Sequence, residues 1–559
     1  MADNEQRYVS LRPAGTSEKR CIMRHALGYY RGLVVAGRYT APEGFPLGAK
    51  ESFYPALKHC ISTHPMLSAA IKGELTEAPE LIRPETINLR NHVEITQPVT
   101  IPAPADDEND THAELEAIKP LLCHAHDQQF PDVSRIPPWK IVVIPITTTT
   151  NNTTANSAPT HGPTPPTFWL LFSYSHSHGD GPSGLSFHRT FLSALRHPST
   201  TAAPSTATTS LSPADPTYRT QPTPALLPPI EQTTTLPVTW PFLLLPVASS
   251  YLPSALRQSS LFTSKHLFFR ASVTPHRPDA WTALPTSYPD PSDPTRLATG
   301  VAVAVAAPAT VRGMLKRCRR HGGVKLTGAL HGVIVRALSA ALPPNANASS
   351  PSSSSFVAQT SIDLRRLMPR FGAELAGERN WDGAVGLCVS AAYHVFARDE
   401  GDVEAVGGDG GEDVFWHRAR ETTRCLAERA STLVDQPIGL LRYLKGFRAW
   451  LEGQVGRERE GSYEVSNLMA FEPDGQGEEG GEGEKRGGGW EVGRMLFSQP
   501  ANVTGPAVNF NIVTRKGGDM VITLTWQKGV LGVEGDEDVW AKGVCEGLER
   551  GMRALAGVQ

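Results

Sequence analysis

The chain has 559 residues, 40% hydrophobic and 19% charged, with a formal net charge of −3. That length exceeds what one hydrophobic core usually serves, so two globular domains are expected. The balanced charge, with no basic stripe, speaks against a nucleic-acid partner. Seven scattered cysteines without a C-x-x-C speak against a disulfide framework.

The first residues, Met1-Ala2-Asp3-Asn4-Glu5-Gln6-Arg7, lack the apolar centre of a secretory leader. With no apolar run of the ~18 residues that a membrane span needs, a cytoplasmic protein is expected. Residues 53–61 have the spacing of an amphipathic helix. Two strand-like runs follow, at 139–144 and 168–175, around a Thr/Asn/Pro-rich stretch at 147–167. They are expected to pair as neighbours with an irregular tip between them. An apolar periodic segment (Leu185, Phe187, Phe191, Leu192, Leu195) reads as a helix leading away from the second run.

Further along, 198–229 is another polar, Pro-rich insertion, and 343–355, 400–413 and 474–489 are similar interruptions. The apolar run at 240–248 is broken by Pro241 and Pro246. It reads as a loop or short helix on the core, with peripheral contact to endoplasmic reticulum or lipid droplets as the other reading. A buried helix at 326–342, started by Thr327, and a strand at 386–396 come next. Strands at 508–513 and 520–526 flank Arg515-Lys516-Gly517-Gly518-Asp519, a hairpin turn. Strands and helices in both halves predict two mixed α/β domains, 1–240 and 297–559, with 241–296 as the crossover.

The chemistry concentrates in Ser175-His176-Ser177-His178-Gly179-Asp180-Gly181, an H-x-x-x-D-G pattern at the end of the second strand. Three readings fit it. His176 is a general base, since an imidazole near pKa ~6.5 removes protons at neutral pH. Such a base suffices for an activated thioester, whose leaving thiol has a pKa of ~8.5. Alternatively, His176, His178 and Asp180 fit the H-x-H-x-D of metallo-β-lactamase-type hydrolases. That pattern continues with a histidine where Gly181 stands, and His266, His276, His321 and His331 lack the loop contexts of further ligands. The third reading is a tight turn that caps a helix beginning near Ser183.

Other blocks extend the pattern: Leu11-Arg12-Pro13-Ala14-Gly15, Arg24-His25-Ala26-Leu27-Gly28-Tyr29-Tyr30, Pro138-Trp139-Lys140, Leu227-Pro228-Pro229-Ile230-Glu231 and Leu236-Pro237-Val238-Thr239-Trp240-Pro241. Ser361-Ile362-Asp363-Leu364-Arg365-Arg366, Val465-Ser466-Asn467-Leu468, Phe497-Ser498-Gln499 and the run from Gly517 to Trp526 follow in order. In that order the blocks resemble the fungal alcohol acetyltransferases, a branch of the chloramphenicol-acetyltransferase-like group that also holds plant BAHD enzymes and condensation domains.

The resemblance implies two mixed-sheet α/β domains with a solvent channel between them. It makes His176 the catalytic base and Asp180 a structural residue, ion-paired with Arg365 or, second, Arg366. Gly181 completes the motif. Ser466 and Asn467 are candidate donors to the channel or the oxyanion. His178 packs the loop or lines the channel. His25 packs or lies near the acceptor pocket, and His331 is a core residue. The implied reaction is acyl-CoA-dependent O-acylation, with acetyl-CoA as co-substrate, a small-molecule alcohol as acceptor, no bound cofactor or metal, and a monomeric enzyme. A carrier-protein thioester as donor, an amine as acceptor, and a non-catalytic binding role are the alternatives. The chain departs from its relatives at Ser175, often histidine, at Met469, where a small residue is expected, and in lacking a D-F-G-W-G block.

Overall fold

The computed structural model describes residues 7–101, 107–148, 165–198, 212–222, 224–244, 279–286, 298–342, 354–369, 381–399, 411–473 and 489–557. Most of the expected insertions, and His266 and His276, lie outside the described residues. Within 198–229, a short strand at Thr217–Arg219 pairs with Thr86–Asn88.

The principal strands, in chain order, are β1 (Gly32–Thr40), β2 (Val93–Ile95), β3 (Trp139–Thr148), β4 (Thr167–Ser175), β5 (Thr299–Ala306), β6 (Ser355–Asp363), β7 (Val389–Ala397), β8 (Tyr463–Phe471), β9 (Glu491–Ser498), β10 (Val508–Arg515) and β11 (Met520–Gln527). The helices that pack them are α1 (Thr16–Ala26), α2 (Tyr54–Thr63), α3 (Asp107–Asp127), α4 (Gly181–Arg196), α5 (Pro308–Arg320), α6 (Leu326–Ala341), α7 (Gly411–Ala430) and α8 (Glu537–Ala556).

Two mixed sheets result. The first runs β9-β1-β4-β3-β2, and Val99–Ile101 also pairs with β3. The second runs β5-β11-β10-β8-β6-β7. β3 and β4 are antiparallel neighbours, and β10 and β11 form the expected hairpin. β9 comes late in the chain yet pairs with β1, so a boundary at 297 divides the sequence but not the sheets.

The two sheets differ in how they are covered, and their sequences say why. In β4 both faces are apolar: Phe168, Leu170 and Phe172 pack with Phe187 and Phe191 of α4, while Trp169 and Leu171 meet Leu115, Ile118 and Leu122 of α3. A strand buried on both faces needs such a continuous apolar run. The second sheet alternates. Tyr463, Val465, Phe510, Ile512, Ile522 and Leu524 face a core with α5, α6 and α8. The residues between them are polar and still buried: Glu464, Ser466, Asn509, Asn511, Thr523 and Thr525. A period of two sends these to the opposite face. That face meets the first half of the molecule, where the Thr523 hydroxyl donates to the Phe497 carbonyl of β9 at 2.8 Å.

At 240–244 the chain is helical, with Phe242 buried and Trp240 73% exposed. No helix among the described residues is long and apolar enough to cross a membrane. All seven cysteines are free thiols.

Candidate active site

β4 ends at Ser175, and the chain turns through His176, Ser177, His178 and Gly179 into α4. Asp180 is the N-cap of that helix. Its carboxylate accepts from the Ser183 amide at 3.2 Å and the Ser183 hydroxyl at 2.8 Å. This satisfies donors that a helix start otherwise leaves unpaired. The same carboxylate takes a bidentate contact from Arg365, Nη2 to Oδ1 at 2.7 Å and Nη1 to Oδ2 at 2.9 Å. The Cys388 amide adds a donor at 2.9 Å. Arg365 Nη2 also reaches the Gly386 carbonyl at 3.1 Å. Burial alone would raise the Asp180 carboxyl, but Arg365 and the other donors hold it below its ordinary 3.8. Arg366 is exposed and takes no part in this pairing.

Gly181 stands where β8 approaches the helix start. A Cβ there would lie 2.3 Å from Leu468 Cδ2, so only glycine fits without movement. Two residues on from Asn467, Met469 adopts φ 65° at a register shift in β8, and its amide donates to Asn467 Oδ1 at 2.8 Å. This left-handed backbone explains why a small residue is expected there. For a side chain with a Cβ that conformation costs ~1–2 kcal/mol. Met469 is 63% exposed and buries little. Met469→Gly is therefore expected to raise unfolding stability by about 1 kcal/mol, glycine's greater freedom in the unfolded chain offsetting the rest. An unchanged or lower urea midpoint would contradict this.

His176 is partly exposed at the strand end. Nδ1 is turned inward without a hydrogen-bond partner, and its own carbonyl and the Asp180 charge are what favour a proton on the ring. Its ring lies 5.4 Å from Tyr30, centroid to centroid, and the Arg24 guanidinium sits over the same phenol ring, 4.4 Å from its centroid. Burial, then the Arg24 charge, push the imidazole down to about 4 from 6.5, so it is a neutral base at pH 7.

The other imidazoles of interest pack against their surroundings. His178 has Nε2 2.8 Å from the Ala69 carbonyl and Nδ1 3.0 Å from the Ser177 hydroxyl. It therefore packs the loop, and His176 and His178 do not converge on one point as the H-x-H-x-D reading requires. His331 is fully buried between Tyr463 and Thr360, with contacts of 3.1 and 3.0 Å. Thr327 does not cap α6, which begins after Lys325; its hydroxyl instead accepts from Asn467 Nδ2 at 3.1 Å. His25 stacks on Phe130. Ser466 is buried on the same face of β8 as Glu464.

A polar chain crosses between the halves beside His176. The Tyr30 hydroxyl donates to Gln499 Oε1 at 2.6 Å, and Gln499 Nε2 donates to Asn511 at 2.8 Å and to Glu464 at 3.2 Å. Ser361 and Gln359 also donate to Glu464, each at 3.1 Å. Arg24, Tyr30, Glu464 and Asn511 were not singled out from the sequence. The signal was present in β10 and β11, where Asn509, Asn511, Thr523 and Thr525 alternate with apolar residues. A cavity of about 270 Å³ lies near the ion pair, at Gly386. Arg12, Glu18, Glu231, Trp381, Val385 and Gly386 line it, and His176 does not.

No family model matches the chain. Whole-length relatives exist. One is the "Probable alcohol acetyltransferase crmB" of Aspergillus fumigatus, 23% identical over 92% of this chain and 95% of that one. Another is the "Probable alcohol acetyltransferase FCK4" of Fusarium pseudograminearum, 21% identical over 96% and 95%. Among solved structures, the TRI3 trichothecene 15-O-acetyltransferase of Fusarium sporotrichioides superposes with a TM-score of 0.60 at 13% identity, covering 98% of this chain and 95% of that one. The fold is that of the chloramphenicol-acetyltransferase-like group. Along its whole length the chain is similar to these two probable alcohol acetyltransferases.

Proposed function

We propose that this acyltransferase moves an acyl group, acetyl in the simplest case, from a coenzyme A thioester to an alcohol, with His176 as general base. The observation that carries the reading is a neutral, partly exposed imidazole at a strand end, its loop fixed by a buried ion pair. His176 takes the hydroxyl proton as the alcohol oxygen attacks the thioester carbonyl. The proton then passes to the departing thiolate, so the base is regenerated. The Ser466 hydroxyl, on the polar face of β8, is the candidate donor to the oxyanion, a role in which one hydrogen bond is worth about 10²–10³ in kcat. Asp180, Arg365 and Gly181 hold the loop. Whole-length similarity to two probable alcohol acetyltransferases supports this reading over a metallohydrolase.

The test is release of free thiol from acetyl-CoA in the presence of pooled alcohols, with ester product identified by mass. Turnover with carrier-protein thioesters but not acetyl-CoA would transfer the reading to the condensation-type alternative. No turnover with either donor would overturn it.

The pH profile is a second check. Because His176 titrates near 4 rather than 6.5, kcat/KM should stay flat from pH 8 to about 5.5 and fall only below that. His92, His126, His178 and His188 are also pushed down to about 4 by burial. Below pH 6.5 the unfolded chain therefore binds more protons than the folded one, and stability is lost as pH falls from 6.5 towards 4. Each such histidine contributes a slope of about 1.4 kcal/mol per pH unit in that window. Urea midpoints across the same range separate unfolding from titration of the base. An acid limb centred at 6.5 with the protein still folded would contradict the assignment.

A further inference from the structure

Two arginines of α1, Arg24 and Arg20, place their charges near His176. Arg24 is 5% exposed. It donates through Nη2 to Asn502 Oδ1 at 2.8 Å, and its Nε is buried with no partner. Arg20 lies one turn earlier on α1 and adds its charge to that of Arg24 at His176 and Tyr30. Neither forms an ion pair with a described residue. Like charges four residues apart on a helix repel, and a buried charge without a counter-charge costs several kcal/mol. The Glu464 carboxylate acts on both arginines but makes no ion pair with either. Its oxygens accept from Ser361, Gln359 and Gln499. It has no close contact with Arg24, and burial pushes its carboxyl up towards the neutral form.

We propose that Arg24, backed by Arg20, forms a subsite for a substrate carboxylate beside the His176 imidazole. The unpaired Nε–H, on the in-plane edge of the guanidinium, is what such a group would meet, and that edge suits a carboxylate. The phosphates of coenzyme A are held away from the thioester by the pantetheine arm. The anion near the base therefore belongs to the acceptor, as in a hydroxy acid, or to the acyl group, as in a dicarboxylic half-thioester. This inference rests on the acyl-transfer reading for its kinetic test, and a binding measurement makes it separable.

With acetyl-CoA as donor, 3-hydroxypropionate and 6-hydroxyhexanoate are compared with their methyl esters. In a second arm, malonyl-CoA is compared with acetyl-CoA on a neutral alcohol. A carboxylate subsite predicts preference for the charged member of one arm, and that arm identifies the source. Because Arg24 also acts on His176, the readout is a ratio: Arg24→Gln is expected to lower kcat/KM for the charged substrate, relative to the neutral one, about 10- to 100-fold, chiefly through KM. Arg20→Gln, on a less buried position, should shift the same ratio in the same direction and guards against a folding defect in the first variant. Equal loss on charged and neutral substrates would overturn the proposal and leave Arg24 as a stabiliser of the transition-state oxyanion. The absence of any charge preference in wild type would also overturn it. If no thioester turns over, the acyl-transfer reading fails. Calorimetric binding of 6-hydroxyhexanoate but not its methyl ester, lost in Arg24→Gln, would then still uphold the subsite, and equal or absent binding would remove it.

Discussion

Replacing His176 with alanine is expected to lower kcat for acyl transfer by about 10²–10⁴-fold, the usual contribution of a positioned general base, while the protein stays folded. Three features point to that separation. The ring is partly exposed, so its removal opens no closed cavity. Nδ1 has no hydrogen-bond partner to lose. The imidazole is uncharged at pH 7, so no buried counter-charge is left behind. Stability should therefore change by no more than about 1 kcal/mol. The assay is thiol release at saturating donor, beside a urea denaturation curve. Residual rate in the variant should lose the acid limb of the pH profile, because the titrating group is gone. A variant within threefold of wild type would remove His176 from the mechanism. A variant with a collapsed urea midpoint would show that the loop depends on the ring itself.

How much of this could be read from the chain varies with the physics behind each feature. The β3–β4 pair and the β10–β11 hairpin were legible because their apolar runs and turn residues are local. The Asp180 cap was legible as one of three readings, since Asp180 and Ser183 are three residues apart. The partner of Asp180 lies 185 positions away, and only the ordered blocks of a family resemblance suggested Arg365. The passage of β9 into the first sheet was not legible, because its residues would suit either sheet. Arg24 was missed for a different reason. His25 beside it is the titratable ring, whereas an arginine on an amphipathic helix ordinarily faces solvent. Its significance arises only once the fold buries it against Tyr30. Met469 was legible as an anomaly, but the positive φ that explains it needed the backbone.

Truncating Asp180 should unfold the site rather than slow one step. Both side chains of the ion pair are almost wholly buried, at 2% for Asp180 and 4% for Arg365. Asp180→Ala leaves the guanidinium charged in that setting, because Asp363 is only a secondary partner at 3.0 Å. Breaking one side of such a pair costs about 3–5 kcal/mol. The cap on α4 goes too, since the Ser183 amide and hydroxyl lose their acceptor; a lost cap costs about 1 kcal/mol. Activity per folded molecule should fall as well, because the residue four positions after His176 no longer anchors its loop. The double variant Asp180→Ala/Arg365→Met tests the cause. Removing the stranded charge should restore part of the stability lost in the single variant, so the two changes should not add. Urea midpoints of the two singles and the double supply the comparison. Additive losses would show that packing and capping, not the uncompensated guanidinium, dominate the cost. An Asp180→Ala protein as stable as wild type would mean the ion pair contributes nothing to holding the loop.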